Sequence, residues 1–299
     1  MNAVELDEVT KAFRNNIAVD NLSLGVPAQS IYGFIGPNGS GKTTTLRMIL
    51  RILPPDRGTI RVLGCEQRDA VSGQIGYLPE ERGLYKRMRV RPMLRFYGEL
   101  KSGRRVDTEI ETWLRRLDLV EHADKKIEAL SKGSAQRVQF IAAVLASPDL
   151  VILDEPFSGL DPVHAELLRA AILDLRRQGT TVILSTHDMA LAEQMCDFVF
   201  MIFRGRKVLD GTLASIQAHY GSDTIRVRTP VEAAALALLP GVESVRDLGQ
   251  RSELRLQPGA DPQSILRSLF AAGRVDSFEV AQPSLHDIFV RIAGCPQSN

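Results

Sequence analysis

Lys42 and Thr43 can do chemistry because of what precedes them. Gly36-Pro37-Asn38-Gly39-Ser40-Gly41-Lys42-Thr43-Thr44 fits G-x-x-x-x-G-K-[ST], a spacing that cradles phosphate. Glycines have no Cβ, so phosphate oxygens can come close to the main chain. Successive backbone N–H groups then form an anion-binding concavity. A helix that follows turns its positive end to the same place. Lys42 adds a full positive charge for the β- and γ-phosphates, and Thr43 adds a hydroxyl for Mg²⁺, which is hard and prefers oxygen.

Acids and a histidine come next. Leu150-Val151-Ile152-Leu153 is followed directly by Asp154-Glu155. An apolar run of this kind reads as a strand buried on both faces, and ligands sit at the carboxyl ends of such strands. There Asp154 can hold Mg²⁺ through its water shell, and Glu155 can polarise a water for attack on a γ-phosphate. Thr181 to Thr186 reads as one more buried strand, and His187 at its end can donate to a γ-phosphate oxygen. Glu80 follows Pro79 at the mouth of a loop, within reach of a metal or an attacking water; a solvated loop carboxylate is the plain alternative. Phe13, placed in a connection between strands, can stack on an adenine ring or simply pack on the sheet. His122, His164, His219 and His286 read as structural.

The elements that must position these groups follow from pattern. Residues 3 to 26 alternate apolar and polar positions and predict a small antiparallel sheet, with a further strand at 58–64. Ser30 to Ile35 predicts a buried strand and Thr44 to Leu50 a helix, so the glycine-rich loop has the strand–loop–helix context that it needs. Ile75 to Glu80 predicts a short strand stopped by Pro79. Met93, Leu94, Phe96, Tyr97 and Leu100 share one helical face, and Trp113, Leu114, Leu117 and Leu119 suggest a second helix. This segment is basic, with Arg82, Lys86, Arg87, Arg89, Arg91, Arg95, Lys101, Arg104 and Arg105, and reads either as a docking surface or as a solvated face. Ser131 or Ser134 caps a helix that runs to about Pro148. Pro162 opens another to about Arg177. The character changes near Tyr220-Gly221-Ser222. Beyond it strands at 223–229, 242–248, 251–257 and 274–281 and helices at 231–239, 261–272 and 284–293 give βαββαβ plus a closing helix, a ferredoxin-like sandwich.

The totals set bounds. A length of 299 residues allows about two domains, and 44% hydrophobic with 24% charged content suits a globular chain. A net charge of +1 gives no reason to expect nucleic acid as partner. Cys65, Cys196 and Cys295 are far apart and form no C-x-x-C pair, which points to reduced thiols in the cytosol. The first residues carry no apolar targeting core, and the longest apolar stretches are too short to cross a bilayer. A cytoplasmic protein is expected, reaching a membrane only through a partner chain.

Taken together, residues 3 to about 218 resemble the ATP-binding subunit of an ABC transporter. The resemblance rests on the phosphate loop at 36–44, the signature-like Leu130-Ser131-Lys132-Gly133-Ser134-Ala135-Gln136, Leu153-Asp154-Glu155-Pro156, the D-loop Ser158-Gly159-Leu160-Asp161 and the switch His187. It implies an α/β P-loop core at 1–220 with an antiparallel β subdomain and a helical subdomain at about 85–147, followed by a ferredoxin-like accessory domain at 221–299. It implies ATP and Mg²⁺ as cofactors. Glu155, His187 and Lys42 would be catalytic; Thr43, Asp154 and Glu80 would face the metal. Phe13, residues Gly36 to Thr44, Ser131, Gly133, Gln136 and Asp161 would hold nucleotide. Tyr77-Leu78-Pro79-Glu80-Glu81-Arg82-Gly83-Leu84-Tyr85 is similar to one branch that includes sodium-extrusion exporters, and Pro283 to Phe289 to the small C-terminal domain of such subunits. The family usually has Gln where Glu80 stands, and Lys132 replaces the first glycine of the signature.

In that family the signature of one subunit completes the ATP site of another. The chain is therefore expected to form a homodimer or a heterodimer, to sit on the inner face of the cell membrane and to drive a separate membrane permease, with export the implied direction. A soluble ABC ATPase acting on ribosomes or DNA, and a nucleotide-binding regulator, are the competing readings. The first usually has two cassettes in one chain or long coiled-coil insertions, and neither is present here.

Overall fold

Ile31–Ile35, Leu150–Asp154 and Thr181–Thr186 are buried at every residue, and that burial on both faces selects a parallel sheet covered by helices. The structure is a computed structural model that describes residues 1–14, 16–66, 72–81, 83–220 and 224–294. Arg82, Gly221, Ser222 and Cys295, named above, lie outside the described residues. The chain divides into two compact units, Met1–Thr212 and Leu213–Asn299.

In the first unit Asn2–Phe13 (β1) pairs antiparallel with Asn16–Pro27 (β2). Ile31–Ile35 (β3) leads through the glycine loop into helix Lys42–Ile49 (α1). Arg57–Val62 (β4) returns to the other side of β1, giving the expected small antiparallel sheet in the order β2-β1-β4. Ile75–Leu78 (β5) follows, then the helices Val90–Ser102 (α2), Asp107–Arg116 (α3) and Lys132–Val144 (α4). Leu150–Asp154 (β6), Pro162–Arg177 (α5) and Thr181–Thr186 (β7) come next. Met189–Met195 (α6), Phe198–Phe203 (β8) and Arg206–Gly211 (β9) close the unit and go beyond the sequence reading. The main sheet has the order β5-β6-β7-β3-β8-β9, parallel except for the antiparallel pair β8–β9.

Register explains why the chemistry gathers. Ile35 lies opposite Thr186, and Asp154 opposite Ser185, so β3, β6 and β7 end at one level. Residues leaving those three ends meet at the carboxyl edge of the sheet. Phe13 differs from expectation: it is the last residue of β1, opposite Asn16, rather than part of a connection.

The helices α2, α3 and α4 share a core that includes Met93, Leu94, Ile110, Leu114, Val138 and Ile141. Trp113 meets Phe140 edge-on at 5.8 Å. Much of the basic character of this segment is paired locally: Arg91 with Glu111, Arg95 with Asp107, and Arg104 with Glu109. That pairing favours the solvated-face reading over an electrostatic docking surface.

The second unit begins with helix Leu213–Tyr220 (α7), which the sequence reading assigned to the first domain. Strands Thr224–Arg228 (β10), Val242–Asp247 (β11), Ser252–Leu256 (β12) and Ser277–Ala281 (β13) follow, with helix Ala233–Leu236 (α8) between β10 and β11 and helix Pro262–Ala272 (α9) between β12 and β13. The fully antiparallel order β11-β12-β10-β13 makes two interleaved βαβ units, the ferredoxin-like arrangement. Ile225, Val227, Leu254, Leu256, Ile265 and Leu269 form its core, and Leu285–Gly294 (α10) ends the described chain.

Candidate functional site

The loop after β3 is built so that a side chain would spoil it. A Cβ on Gly41 would stand 2.4 Å from the Ala18 carbonyl oxygen, and its φ of +112° is a conformation that side chains rarely adopt. Gly39 also has positive φ, +76°, but a Cβ there would meet nothing within 4 Å. One glycine is packed against protein while the other faces open space, as a wall of a phosphate cradle must. Ser40 Oγ is buried with no hydrogen-bond partner among the described residues. An orphaned hydroxyl inside the loop fits a site that receives a polar ligand.

Lys42 begins α1 and is 7% exposed. Its Nζ donates to the carbonyls of Gly36 at 2.6 Å and Pro37 at 3.0 Å, so the amine closes over its own loop. Burial pulls its pKa down, while the charges of Glu155, Asp154 and Glu80 push it back up. Thr43 Oγ1 donates to Asp154 Oδ2 at 3.3 Å, joining the phosphate loop to the end of β6. Asp154 is 1% exposed, and burial, with Glu80 and Glu155 adding to it, raises its pKa.

Glu155 turns out of the strand with φ +49°, an uncommon conformation for a residue with a side chain, and its N–H donates to Ser185 O at 3.0 Å. Its carboxylate is held from β7. Oε1 accepts from the His187 backbone N–H at 3.0 Å and lies 2.7 Å from His187 Nδ1. Oε2 accepts from Thr186 Oγ1 at 3.4 Å.

A cleft of about 480 Å³ is lined by Phe13, Asn16, Ala18, residues of the glycine loop from Asn38 to Thr44, Glu80, Asp154 and Glu155. Asn38, Gly39, Gly41, Lys42, Thr43 and Thr44 of the phosphate loop, the two strand-end acids, Glu80 and Phe13 therefore share one wall system, whereas Gly36, Pro37 and Ser40 of the same loop do not line it. Asn16 and Ala18 were not anticipated; both follow from the β1–β2 hairpin folding over the loop, which no local pattern reveals. Phe13 is 47% exposed, and Lys11 Nζ sits 5.8 Å from its ring centre.

The four nucleotide contacts expected beyond the phosphate loop are placed elsewhere. Ser131 caps α4, its Oγ accepting from Ser134 N–H at 3.1 Å, and Gly133 packs beside Gly159 and Leu160. Asp161 caps α5 by accepting from the N–H groups of Val163 and His164. Gln136 is 4% exposed and turned inward, donating to Glu155 O at 3.4 Å and Pro156 O at 3.3 Å. None of the four lines the cleft of their own chain.

The donor set suits a hard cation shared with phosphate. Thr43 and Asp154 offer adjacent oxygens, while no group of three His, Cys, Asp or Glu side chains among the described residues could hold a metal unaided. Mg²⁺ matches that shortage, because it usually takes one or two protein oxygens and fills its shell with water and phosphate.

Comparison with known proteins decides the family. Residues 19–158 match the model described as ABC transporter, and residues 211–293 match ATP-binding protein DrrA1-3-like, C-terminal domain. The chain is 40% identical over 291 residues to the uncharacterized ABC transporter ATP-binding protein YhaQ of Bacillus subtilis, covering 97% of this chain and 98% of that one. The chain belongs to the ABC transporter ATP-binding proteins. As such it binds ATP, hydrolyses it and acts with a membrane permease. This ABC subunit is also 32% identical to the daunorubicin/doxorubicin resistance ATP-binding protein DrrA of Streptomyces peucetius, covering 98% of this chain and 93% of the relative. It is 33% identical to the Nod factor export ATP-binding protein I of Rhizobium sp. (strain N33), covering 98% and 97%. Among solved structures, an ATP binding subunit of an ABC transporter superposes with a TM-score of 0.68 at 30% identity, covering 73% of this chain and 93% of that one.

Burial of Asp154 in the ABC subunit gives a prediction with a definite sign. A carboxyl whose pKa rises on folding favours its protonated form in the folded state. It supports the fold below the unfolded pKa, and that support is lost as pH rises through the folded value. Asp154→Asn should therefore raise the melting temperature of the nucleotide-free protein by about 2–4 °C at pH 8. The gain should fade as the buffer is made acidic enough to protonate Asp154. Calorimetry at the two pH values checks this; an equal gain at both would remove the charge explanation.

Proposed function

We propose that this subunit powers export by closing with a second ATP-binding chain around Mg·ATP. Glu155 is the general base, and the signature of each chain serves the other chain's cleft. The observation that carries the reading is the 3.3 Å bond between Thr43 and Asp154, with Glu155 one residue beyond it facing the same cleft. Backbone N–H groups of residues 36–44 bind the phosphates, and Lys42 exchanges its loop carbonyls for β- and γ-oxygens. Phe13 stacks on the adenine. Thr43 and Asp154 would hold Mg²⁺, with Glu80 close by; when bound, the ion offsets negative charge that builds up on the phosphates. Glu155 accepts a proton from the attacking water. His187, anchored to the same carboxylate at 2.7 Å, orients it and offers its ring to the γ-phosphate.

The need for a second chain is supported by what the cleft lacks: Ser131 and Gly133 stand outside it, at the start of α4. Export is supported by relatives that match nearly the whole chain and whose names state drug resistance and Nod factor export. A peripheral place on the inner membrane face, held by the permease, fits a chain in which no described helix is long and apolar enough to cross a bilayer.

Mixing two inactive variants tests the shared site. Lys42→Met spoils the phosphate loop but keeps the signature, and Ser131→Arg spoils the signature but keeps the loop. If the sites are composite, a mixed dimer has one cleft with both parts intact, so the mixture should hydrolyse ATP where neither variant alone does. A mixture as silent as its components would sink the composite arrangement.

A further inference from the structure

We propose that Gln139 is a positioning residue that holds Glu80 over the nucleotide cleft, working beside Gln136 as one of two amide braces on helix α4. The proposal rests on the reading of that cleft given above. Gln139 is 4% exposed, and its Nε2 donates to Pro79 O at 3.2 Å and Glu81 O at 3.4 Å. Carbonyls only accept, so the group facing them is the amide –NH₂, and its two hydrogens go to the two carbonyls on either side of Glu80. One turn earlier on the same helix face, Gln136 does the same to the turn that carries Glu155, at 3.4 and 3.3 Å. Each acid-bearing loop is thus tied to α4 by a buried amide.

The bond at Gln139 matters because it acts on the two carbonyls that flank Glu80, whereas the next anchors of the loop, Leu84 and Met88, reach the core only further along the chain. β5 is the edge strand of its sheet, paired on one side only, and it ends at Leu78. Beyond it the described residues form no strand or helix until α2, and a Cβ on Gly83 would meet nothing within 4 Å. Glu80 itself is exposed, yet its charge is felt at Lys42 and Asp154. A loop free to swing would take that charge away from the cleft. Because α4 starts at the signature and also carries both amides, a displacement of its N-terminus would shift Glu80 and Glu155 together.

The test uses the full chain as four proteins: parent, Gln139→Met, Glu80→Ala and the double variant. Methionine keeps the length of Gln139 and removes its donors. Two readouts are taken, ATPase kinetics and backbone hydrogen exchange of Glu80 and Glu81 without nucleotide. Gln139→Met should speed exchange in that loop while β6 and β7 stay protected, and should lower kcat/KM for Mg·ATP by about tenfold. In the Glu80→Ala background it should cost nothing further, since the group it positions is gone. Parent-like kinetics, unchanged exchange, or losses that multiply in the double variant would each overturn the proposal. If Gln139→Met does not fold, Gln139→Asn, which withdraws the amide by one methylene, takes its place; failure of both to fold would mark the bond as structural and overturn it as well. A parent without ATP turnover would instead count against the cleft reading, and the exchange result alone would then decide the brace.

Discussion

Glu155→Gln should lower kcat for ATP by about 10²–10⁴-fold while nucleotide still binds. The amide keeps the size of the carboxylate and can still accept from the His187 backbone N–H, which now donates to Oε1 at 3.0 Å. It cannot take a proton from water. The backbone at this position already has φ +49°, set by the turn and by the bond from Glu155 N–H to Ser185 O, so the substitution changes charge and not conformation. Removing one negative charge beside Asp154 also relieves repulsion in the cleft, so the affinity for Mg·ATP should hold or improve. With hydrolysis blocked, light scattering should find a stable species of twice the mass when Mg·ATP is present. A variant that turns over ATP as fast as the parent would remove Glu155 from the role of base.

Lys42→Met should weaken ATP binding by about tenfold to a hundredfold and lower kcat by about 10²–10³-fold. In the structure the amine is 7% exposed and satisfied by two carbonyls of its own loop. That arrangement keeps a buried charge solvated until phosphate replaces the carbonyls. Methionine fills the same channel without charge, so loop geometry survives and the loss reports the charge itself. Lys42→Arg should fare little better, because a planar fork does not fit where a single Nζ meets two carbonyls. Titration calorimetry with ATP checks the affinity, and a parent-like Kd for Lys42→Met would show that backbone amides alone hold the phosphates.

Much of this was readable beforehand, and particular residues show why. The glycine loop, Asp154, Glu155 and His187 each follow a short run of apolar residues, and a run buried on both faces is a local signal. Pro162 at the start of α5 and Ser131 at the start of α4 are likewise signals that need no tertiary context. The ferredoxin-like tail was legible because its strands and helices follow one another in the order βαββαβ with short connections. Between His187 and Tyr220 the apolar run Phe198–Phe203 is an equally local signal for β8, whereas α6 and β9 leave none so clean, and only pairing of β8 with β3 fixes where that stretch goes.

The amino-acid order by itself set the types of group and their chain positions: a lysine and threonine after glycines, two acids and a histidine at strand ends. Whether those groups met was a matter of sheet register, which is a pairing between segments far apart in the chain. Tertiary structure also decided that Gln136 looks inward and that the signature stands outside its own cleft. Those outcomes depend on which surfaces of α4 are covered by other elements, and coverage is not written in any short stretch of sequence.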